Sequence, residues 1–315
     1  MLLVTGGTGF VGGHLLEHVR GPARALVRRR SACLPAGIEP VFADLATGEG
    51  LAEAIRGADT VIHLAGVTKA LRAGDYFAGN ARATENLARL AAGRGIRFVH
   101  VSSLAAAGPS LNGTPAKEDD TPHPVSEYGR SKLEGECIVR ALLPEAVIVR
   151  PPVVYGPGDR KLLPLFKLAR FGVLPSAGDG TERVSLLHVR DLAVGLVAAL
   201  EHPAAAGQTF FFADRDAPSL HELLRTVGLA AGADVHVVPL PPVAVFGAAL
   251  LTETLGRLVR RTPSFNSDLM ADLVGHSWVC SPEHAREVLG FEAKIGWREG
   301  LRDSAGWYLA QSLVE

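Results

Sequence analysis

The stretch Thr5-Gly6-Gly7-Thr8-Gly9-Phe10-Val11-Gly12 decides how the chain is read. It follows a short apolar run at 2–5 and opens a helical pattern at 12–19. Gly6 permits a tight turn, Gly9 lets the backbone approach a pyrophosphate, and Gly12 lets the helix pack closely on the strand. The helix start, with Phe10 and Val11 in its first turn, then presents free N–H groups and the positive end of the helix dipole to phosphate. A glycine cluster alone says little. Between a strand and a helix, at the head of a repeating strand–helix pattern, it reads as a dinucleotide site.

That pattern extends outward from the loop. Strands are expected at 2–5, 24–27, 39–42, 60–64, 97–102 and 146–150, with helices at 12–19, 50–55, 84–92 and 131–142. Strands separated by helices imply right-handed crossovers and a parallel sheet covered on both faces. The fold class is therefore α/β, a doubly wound Rossmann sheet over 1–150. From Pro151 onward Pro-Gly turns and shorter elements suggest a smaller, mostly C-terminal α/β substrate lobe over 151–315. The stretch at about 184–200 is expected to return to the main sheet. No internal repeat is visible.

The second strand ends Ala25-Leu26-Val27-Arg28-Arg29-Arg30. An acid at this place would accept hydrogen bonds from the adenine ribose and repel a 2′-phosphate. Three guanidinium groups stand there instead, and their planar forks suit phosphate. NADP(H) is therefore favoured over NAD(H), with Arg28 as first contact and Arg29 as second. Asp44-Leu45, after the third strand, would lie beside the adenine. His63-Leu64-Ala65-Gly66 ends the fourth strand, and the backbone at Leu64, Ala65 and Gly66 would pass close to the cofactor. His63 itself reads as a packed strand residue.

Tyr128-Gly129-Arg130-Ser131-Lys132 sets a phenol and an ammonium four residues apart, on one face of a helix. The ammonium, with the positive charge of an oxidised nicotinamide, would lower the tyrosine pKa and fit Tyr128 for proton transfer to or from a carbonyl oxygen. His100-Val101-Ser102-Ser103 ends the fifth strand, where such sheets bind ligands. Ser103 is the expected partner of the reacting oxygen, with Ser102 as a structural neighbour.

With these residues in place, the sequence resembles an extended short-chain dehydrogenase/reductase, of the superfamily that also holds the nucleotide-sugar epimerases and dehydratases. The matching residues include the glycine loop, Asp44-Leu45, His63 to Gly66, Asn80-x-x-x-Thr84-x-Asn86, Val101-Ser102-Ser103, Tyr128-x-x-x-Lys132, Arg150-Pro151-x-Val153-x-Tyr155-Gly156-Pro157-Gly158, His188-Val189-x-Asp191 and Leu289-Gly290-Phe291. They span essentially the whole chain. The resemblance implies Ser103, Tyr128 and Lys132 as the catalytic group, Asn80 and Val101 near the cofactor, and Pro151 and Val153 lining the nicotinamide. It also permits a homodimer through a four-helix interface built from 84–92 and 131–142.

The nucleotide-sugar branch commonly carries an asparagine soon after Arg150, where this chain has Pro151-Pro152-Val153, and an Arg-Asp-Phe run where it has Val184-Ser185-Leu186-Leu187. Arg183 lies one position off that register. The apolar, Pro-rich stretch from Val237 to Phe246 is more similar to the dihydroflavonol reductase and 3β-hydroxysteroid dehydrogenase branch. The leading expectation is a ketone/secondary-alcohol oxidoreductase on a bulky, largely apolar small molecule. A nucleotide-sugar epimerase or dehydratase and a non-catalytic cofactor sensor are the alternatives.

Bulk properties narrow the rest. The chain has 315 residues, 47% of them hydrophobic, enough for a large core. A formal net charge of −1 gives no global field to recruit nucleic acid or an anionic membrane. Cys33, Cys137 and Cys280 show neither zinc nor disulfide spacing, so no metal is expected and the location reads as cytoplasmic. No targeting segment or integral membrane span is read. Residues 242–259 read as an amphipathic helix buried against the substrate site, with peripheral membrane contact as the other reading. Glu118-Asp119-Asp120 reads as a solvated acidic loop, and Trp278, Trp297 and Trp307 as anchors of the C-terminal packing.

Overall fold

The computed structural model describes residues 1–29, 33–111, 113–258 and 267–314; Arg30 of the basic run and Val259 lie outside them. Eleven strands are present in that range: β1 (Leu2–Thr5), β2 (Ala23–Val27), β3 (Ile38–Phe42), β4 (Thr60–His63), β5 (Arg97–Val101), β6 (Val147–Val149), β7 (Val153–Tyr155), β8 (Val173–Ala177), β9 (Leu186–His188), β10 (Thr209–Phe210) and β11 (His236–Leu240). Seven of them form one parallel sheet in the order β10-β6-β5-β4-β1-β2-β3. The chain builds outward from β1 through β3, then crosses back to place β4 on the other side of β1. That reversal opens a crevice at the carboxyl ends of β1 and β4.

Alternation along the strands explains the two-sided core. Val4, Ile62 and Val99 enter one apolar cluster with Leu15, Leu192 and Leu196. Their chain neighbours Leu3, Val61 and Phe98 enter the other, with Leu51, Leu87 and Val139. Successive side chains point to opposite faces, so a sheet buried on both reads as a continuous apolar run. Each such buried Leu or Phe contributes roughly 2 kcal/mol.

The expected strands reappear, β2 and β3 begun one residue earlier and β4, β5 and β6 trimmed at their ends. The fifth stops at Val101 because Ser103 leaves the ladder to cap the short helix Leu104–Ala107. The helix expected at 131–142 starts earlier, as Glu127–Leu142, because the Ser126 hydroxyl accepts the Gly129 N–H at 3.0 Å. Tyr128 thus stands in its first turn. The return expected at about 184–200 takes a different form. The strand in that stretch, β9, pairs with β7 outside the main sheet. The helix Val189–Glu201 covers a face of the sheet, and β10 rejoins it as an edge.

A third cluster gathers Tyr155, Phe166, Leu174, Leu224, Trp297, Leu301 and Tyr308, from helices Leu163–Ala169, Leu220–Ala230 and Trp297–Ala310 and from the small sheets. The pair β8–β11 is parallel and stands apart from the main sheet.

Candidate active site

The glycine loop shows why each glycine is there. Gly6 has φ +73°, and a Cβ on it would come within 2.8 Å of the Ala65 nitrogen. A Cβ on Gly12 would lie 2.2 Å from the Gly6 oxygen, so the helix Phe10–His18 can approach its strand only without a side chain there. Gly9 differs: a Cβ there would meet only the Gly6 oxygen, at 3.2 Å. The space it leaves is not filled by protein. The helix behind it has no side-chain cap and no acid in its first turn. An open approach and uncapped N–H groups fit a diphosphate. A cleft of about 530 Å³ runs from Thr8, Gly9, Phe10 and His14 to Gly158, Arg160 and Lys161. Sequence reading quoted Pro157-Gly158 and passed over the two cations that follow them.

Arg28 and Arg29 are exposed at the end of β2, with no ion-pair partner among the described residues. Asp44 turns its carboxylate onto the Ala46 N–H at 2.7 Å, and Leu45 is buried. Asn86 donates to the Leu45 oxygen at 2.8 Å. His63 is fully buried between the hydroxyls of Thr5 at 2.7 Å and Thr84 at 2.9 Å, and burial, with the Lys132 charge, lowers its pKa to about 3.

Ser103, Tyr128 and Lys132 meet at the carboxyl end of β5. The Ser103 hydroxyl stands near the Tyr128 phenol and favours its ionised form, and Ser103 also accepts the Ala105 N–H at 3.2 Å. Ser102 is buried and donates its backbone N–H to the Val149 oxygen at 2.7 Å. Lys132 is buried and donates to the Val101 oxygen at 2.7 Å. Burial lowers its pKa to about 8, against the opposing pull of Glu136. In the protein alone, burial pushes the Tyr128 pKa up, the nearby Ser103 hydroxyl opposes that, and the Asp272 charge adds to the rise. The ammonium is turned onto a backbone carbonyl, so the protein alone does not favour phenolate.

Asn80 stands in a π-helical turn, Ala78–Arg82, a form that recurs at functional positions. Its side chain accepts the Val67 N–H at 2.7 Å and donates to the Val67 oxygen at 3.0 Å and to Ser131 at 2.8 Å. A Cβ on Gly66 would lie 2.9 Å from the Asn80 oxygen and 3.9 Å from the Lys132 nitrogen. Leu64, Ala65 and Gly66 therefore continue from β4 past the crevice. Pro151 accepts the Leu104 N–H at 2.9 Å, and Val153 is exposed at the start of β7. Arg150 is buried in an ion pair with Glu136, at 2.7 Å, tying β6 to the helix of Tyr128.

Other expectations were redirected. Glu118 is no solvated loop residue: it accepts the Phe211 N–H at 2.8 Å and is partly buried. Asp119 and Asp120 are exposed. Trp297 and Trp307 pack in the C-terminal cluster, but Trp278 joins Leu104, Ala105, Phe211 and Cys280 in an apolar wall against Tyr128. Arg183 spends its Nε on the Ala217 oxygen at 2.9 Å. His188 caps the helix Val189–Glu201, and Asp191 accepts the N–H groups of Lys294 and Ile295. The three cysteines are free, and no metal-binding group occurs among the described residues.

Two residues were missed altogether. Asp268 accepts the N–H groups of Glu127, at 2.7 Å, and Tyr128, at 3.3 Å, and so caps the tyrosine's helix from outside. Asp272 stands one turn on in the helix Ser267–Leu273; burial, reinforced by Asp268 and opposed by the nearby Ser126 hydroxyl, raises its pKa to about 7. Both contacts span some 140 residues, and no local pattern announces them.

The family comparison agrees with this geometry. Residues 2–211 match the NAD dependent epimerase/dehydratase family. A ceramide reductase of Caulobacter vibrioides is 33% identical over 98% of this chain and 95% of its own length. A farnesyl-dihydroquinoline-oxide ketoreductase of Stigmatella aurantiaca is 30% identical over 95% of this chain and 93% of its own. Among solved structures, MoeE5 in complex with UDP-glucose and NAD superposes with a TM-score of 0.78 at 25% identity, covering 99% of both chains. The chain belongs to the NAD-dependent epimerase/dehydratase family and is an NAD(P)-dependent enzyme of the extended short-chain dehydrogenase/reductase superfamily.

Proposed function

We propose that the enzyme interconverts a ketone and a secondary alcohol on a bulky, largely apolar molecule, using NADP(H) in preference to NAD(H). One observation carries the reading: Tyr128 stands near Ser103 and packs against the apolar wall of Leu104, Phe211 and Trp278. Such a wall suits an apolar substrate with one polar group at the tyrosine. The ceramide and farnesyl-quinoline substrates named for two relatives are of that kind.

The bound nicotinamide supplies or accepts the hydride. Tyr128 gives the proton to the carbonyl oxygen in reduction and takes it back in oxidation, and Ser103 holds that oxygen in place. Lys132, with Asn80 and Val101, fixes the nicotinamide ribose; Pro151 and Val153 line its ring. Gly6, Gly9, Phe10, Val11 and Gly12 hold the diphosphate, with Asp44, Leu45, Leu64, Ala65 and Gly66 along the adenosine half. Arg28 and Arg29 meet the 2′-phosphate. Residues 151–315 supply most of the substrate lobe. The free thiols support a cytoplasmic location, and the packed helices Ala83–Ala91 and Glu127–Leu142 support a homodimer.

The second reading, a nucleotide-sugar enzyme, is favoured by the likeness to MoeE5. The apolar wall at Tyr128 argues against it, since a nucleotide-sugar would present hydroxyls and a diphosphate there. Incubation with NADPH and bulky apolar ketones, beside UDP-glucose and UDP-galactose, separates the two. Oxidation of NADPH with ketone only is expected; sugar interconversion without net cofactor change would sink the proposal.

A further inference from the structure

The cleft beside the glycine loop has two walls of different character. Thr8, Gly9 and Phe10 form one; the turn that carries Gly158, Arg160 and Lys161 forms the other. The first wall offers dipoles and no full charge. The opening turn of its helix reads Phe10-Val11-Gly12-Gly13, with neither a cation nor an acid. A helix start supplies only about half a positive charge, which leaves a diphosphate largely unneutralised.

The second wall is fixed to the first. His14 donates its Nε2–H to the Pro157 oxygen at 2.7 Å, tying the turn to the helix Phe10–His18. Gly158 has φ +94°, which favours glycine, and a Cβ on it would touch the Phe10 ring at 3.4 Å. Asp159 is buried, and its carboxylate accepts the N–H groups of Lys161 at 2.8 Å and Leu162 at 3.1 Å. The turn is thus built around its own acid, and the two cations that follow are exposed at the cleft.

The acids of the cleft are already engaged. Asp159 spends its carboxylate on those amides, and Glu17 stands 3.7 Å from His14. Neither Arg160 nor Lys161 has an ion-pair partner among the described residues. Desolvation lowers the Lys161 pKa; Asp159 opposes the shift, and the Lys69 charge adds to it. Ammonium groups that repel each other beside a guanidinium are relieved by an anion.

We propose that Arg160 and Lys161 close the outer side of the cofactor diphosphate, opposite the N–H groups of the glycine loop. Arg160 can meet two phosphate oxygens with its planar fork, and Lys161 acts as a point charge. The turn follows β7, so the contact also draws the second lobe onto the cofactor. These cations differ in task from Arg28 and Arg29. They act on a group that NADP(H) and NAD(H) share, and they add affinity without preference. A nucleotide-sugar substrate carries a diphosphate too; the glycine loop as the facing wall favours that of the cofactor. The assignment rests on the cofactor site and not on the ketone reading.

Calorimetric titration of the full chain with NADPH, NADH and UDP-glucose tests it. Arg160→Gln/Lys161→Gln is expected to weaken NADPH and NADH by the same factor, about tenfold or more at low salt, and to flatten the salt dependence of both. Lys167→Gln/Arg170→Gln removes equal charge from exposed positions nearby and should bind both cofactors as the wild type does. The single variants Arg160→Gln and Lys161→Gln, each expected to lose about threefold, keep the test open if the pair fails to fold. Unchanged affinity for both cofactors overturns the proposal. So does a loss confined to UDP-glucose, which would give the cations to a substrate, or one confined to NADPH, which would give them to the 2′-phosphate. An equal loss in the Lys167/Arg170 variant overturns it as well, as an effect of net charge. None of these outcomes depends on which ketone or sugar is turned over.

Discussion

Lys132 donates its ammonium to the carbonyl oxygen of Val101 at 2.7 Å, fastening the helix that carries Tyr128 to the last residue of β5. Burial holds the Lys132 pKa near 8. The residue is therefore both a clamp and a charge kept at a cost in desolvation. Replacing it separates two effects. Lys132→Met should lose most activity yet be at least as stable as the wild type near pH 7. The reason is that the unfolded chain binds more protons than the native one between about 8 and the ordinary lysine value of 10.5. Native wild type gains stability over that window as the lysine gives up its proton, and the variant does not. Activity assays and thermal melts at several pH values check both parts.

Tyr128→Phe removes the proton and leaves the packing. Turnover should fall by roughly 10²–10⁴-fold, with cofactor affinity little changed. Turnover at the wild-type rate would remove the tyrosine from the mechanism.

Arg28→Ala/Arg29→Ala should weaken NADPH binding by about 10- to 100-fold and leave NADH binding within about threefold. Fluorescence titration of both cofactors at moderate salt reads the ratio. Equal losses for the two would mean these arginines do not meet the 2′-phosphate.

Asp272 adds its negative charge to the site of Tyr128 and raises the tyrosine's pKa. Asp272→Asn should move the pH profile of alcohol oxidation toward lower pH. It should also change stability. Burial pushes the native carboxyl up to about 7 from the ordinary 3.8, so the native state binds more protons between them and wild-type stability falls as pH rises through that range. The asparagine variant should lack that fall.

Acid should unfold the protein through its buried histidines. His63, near 3, and His100, well below 6.5, are held neutral chiefly by burial. The unfolded chain binds the extra protons, so stability is full above about 6.5 and declines toward 3. Denaturant titrations across this range should show the slope, and His63→Gln should reduce it.

Much of this was legible because it is local. The glycine loop, the Tyr128–Lys132 spacing and the strand alternation each depend on residues close in sequence. Strand ends were overrun where a side chain pulled the chain out of the ladder, as Ser103 does. The carboxylates at Tyr128 were invisible because Asp268 and Asp272 arrive from a distant helix. The direction of the Lys132 ammonium was not legible either, because Val101 sets it, which spacing does not reveal. Residues 242–259 showed their apolar character in sequence, but which face would be covered depended on Met270 and its neighbours.

The central claim is net hydride transfer to an apolar ketone. Incubating the enzyme with NADPH deuterated at C4 of the nicotinamide, on the transferred face, and a bulky ketone should give one alcohol per NADPH oxidised, with deuterium on the carbinol carbon. An alcohol without the label, or sugar interconversion with no NADPH consumed, would contradict it.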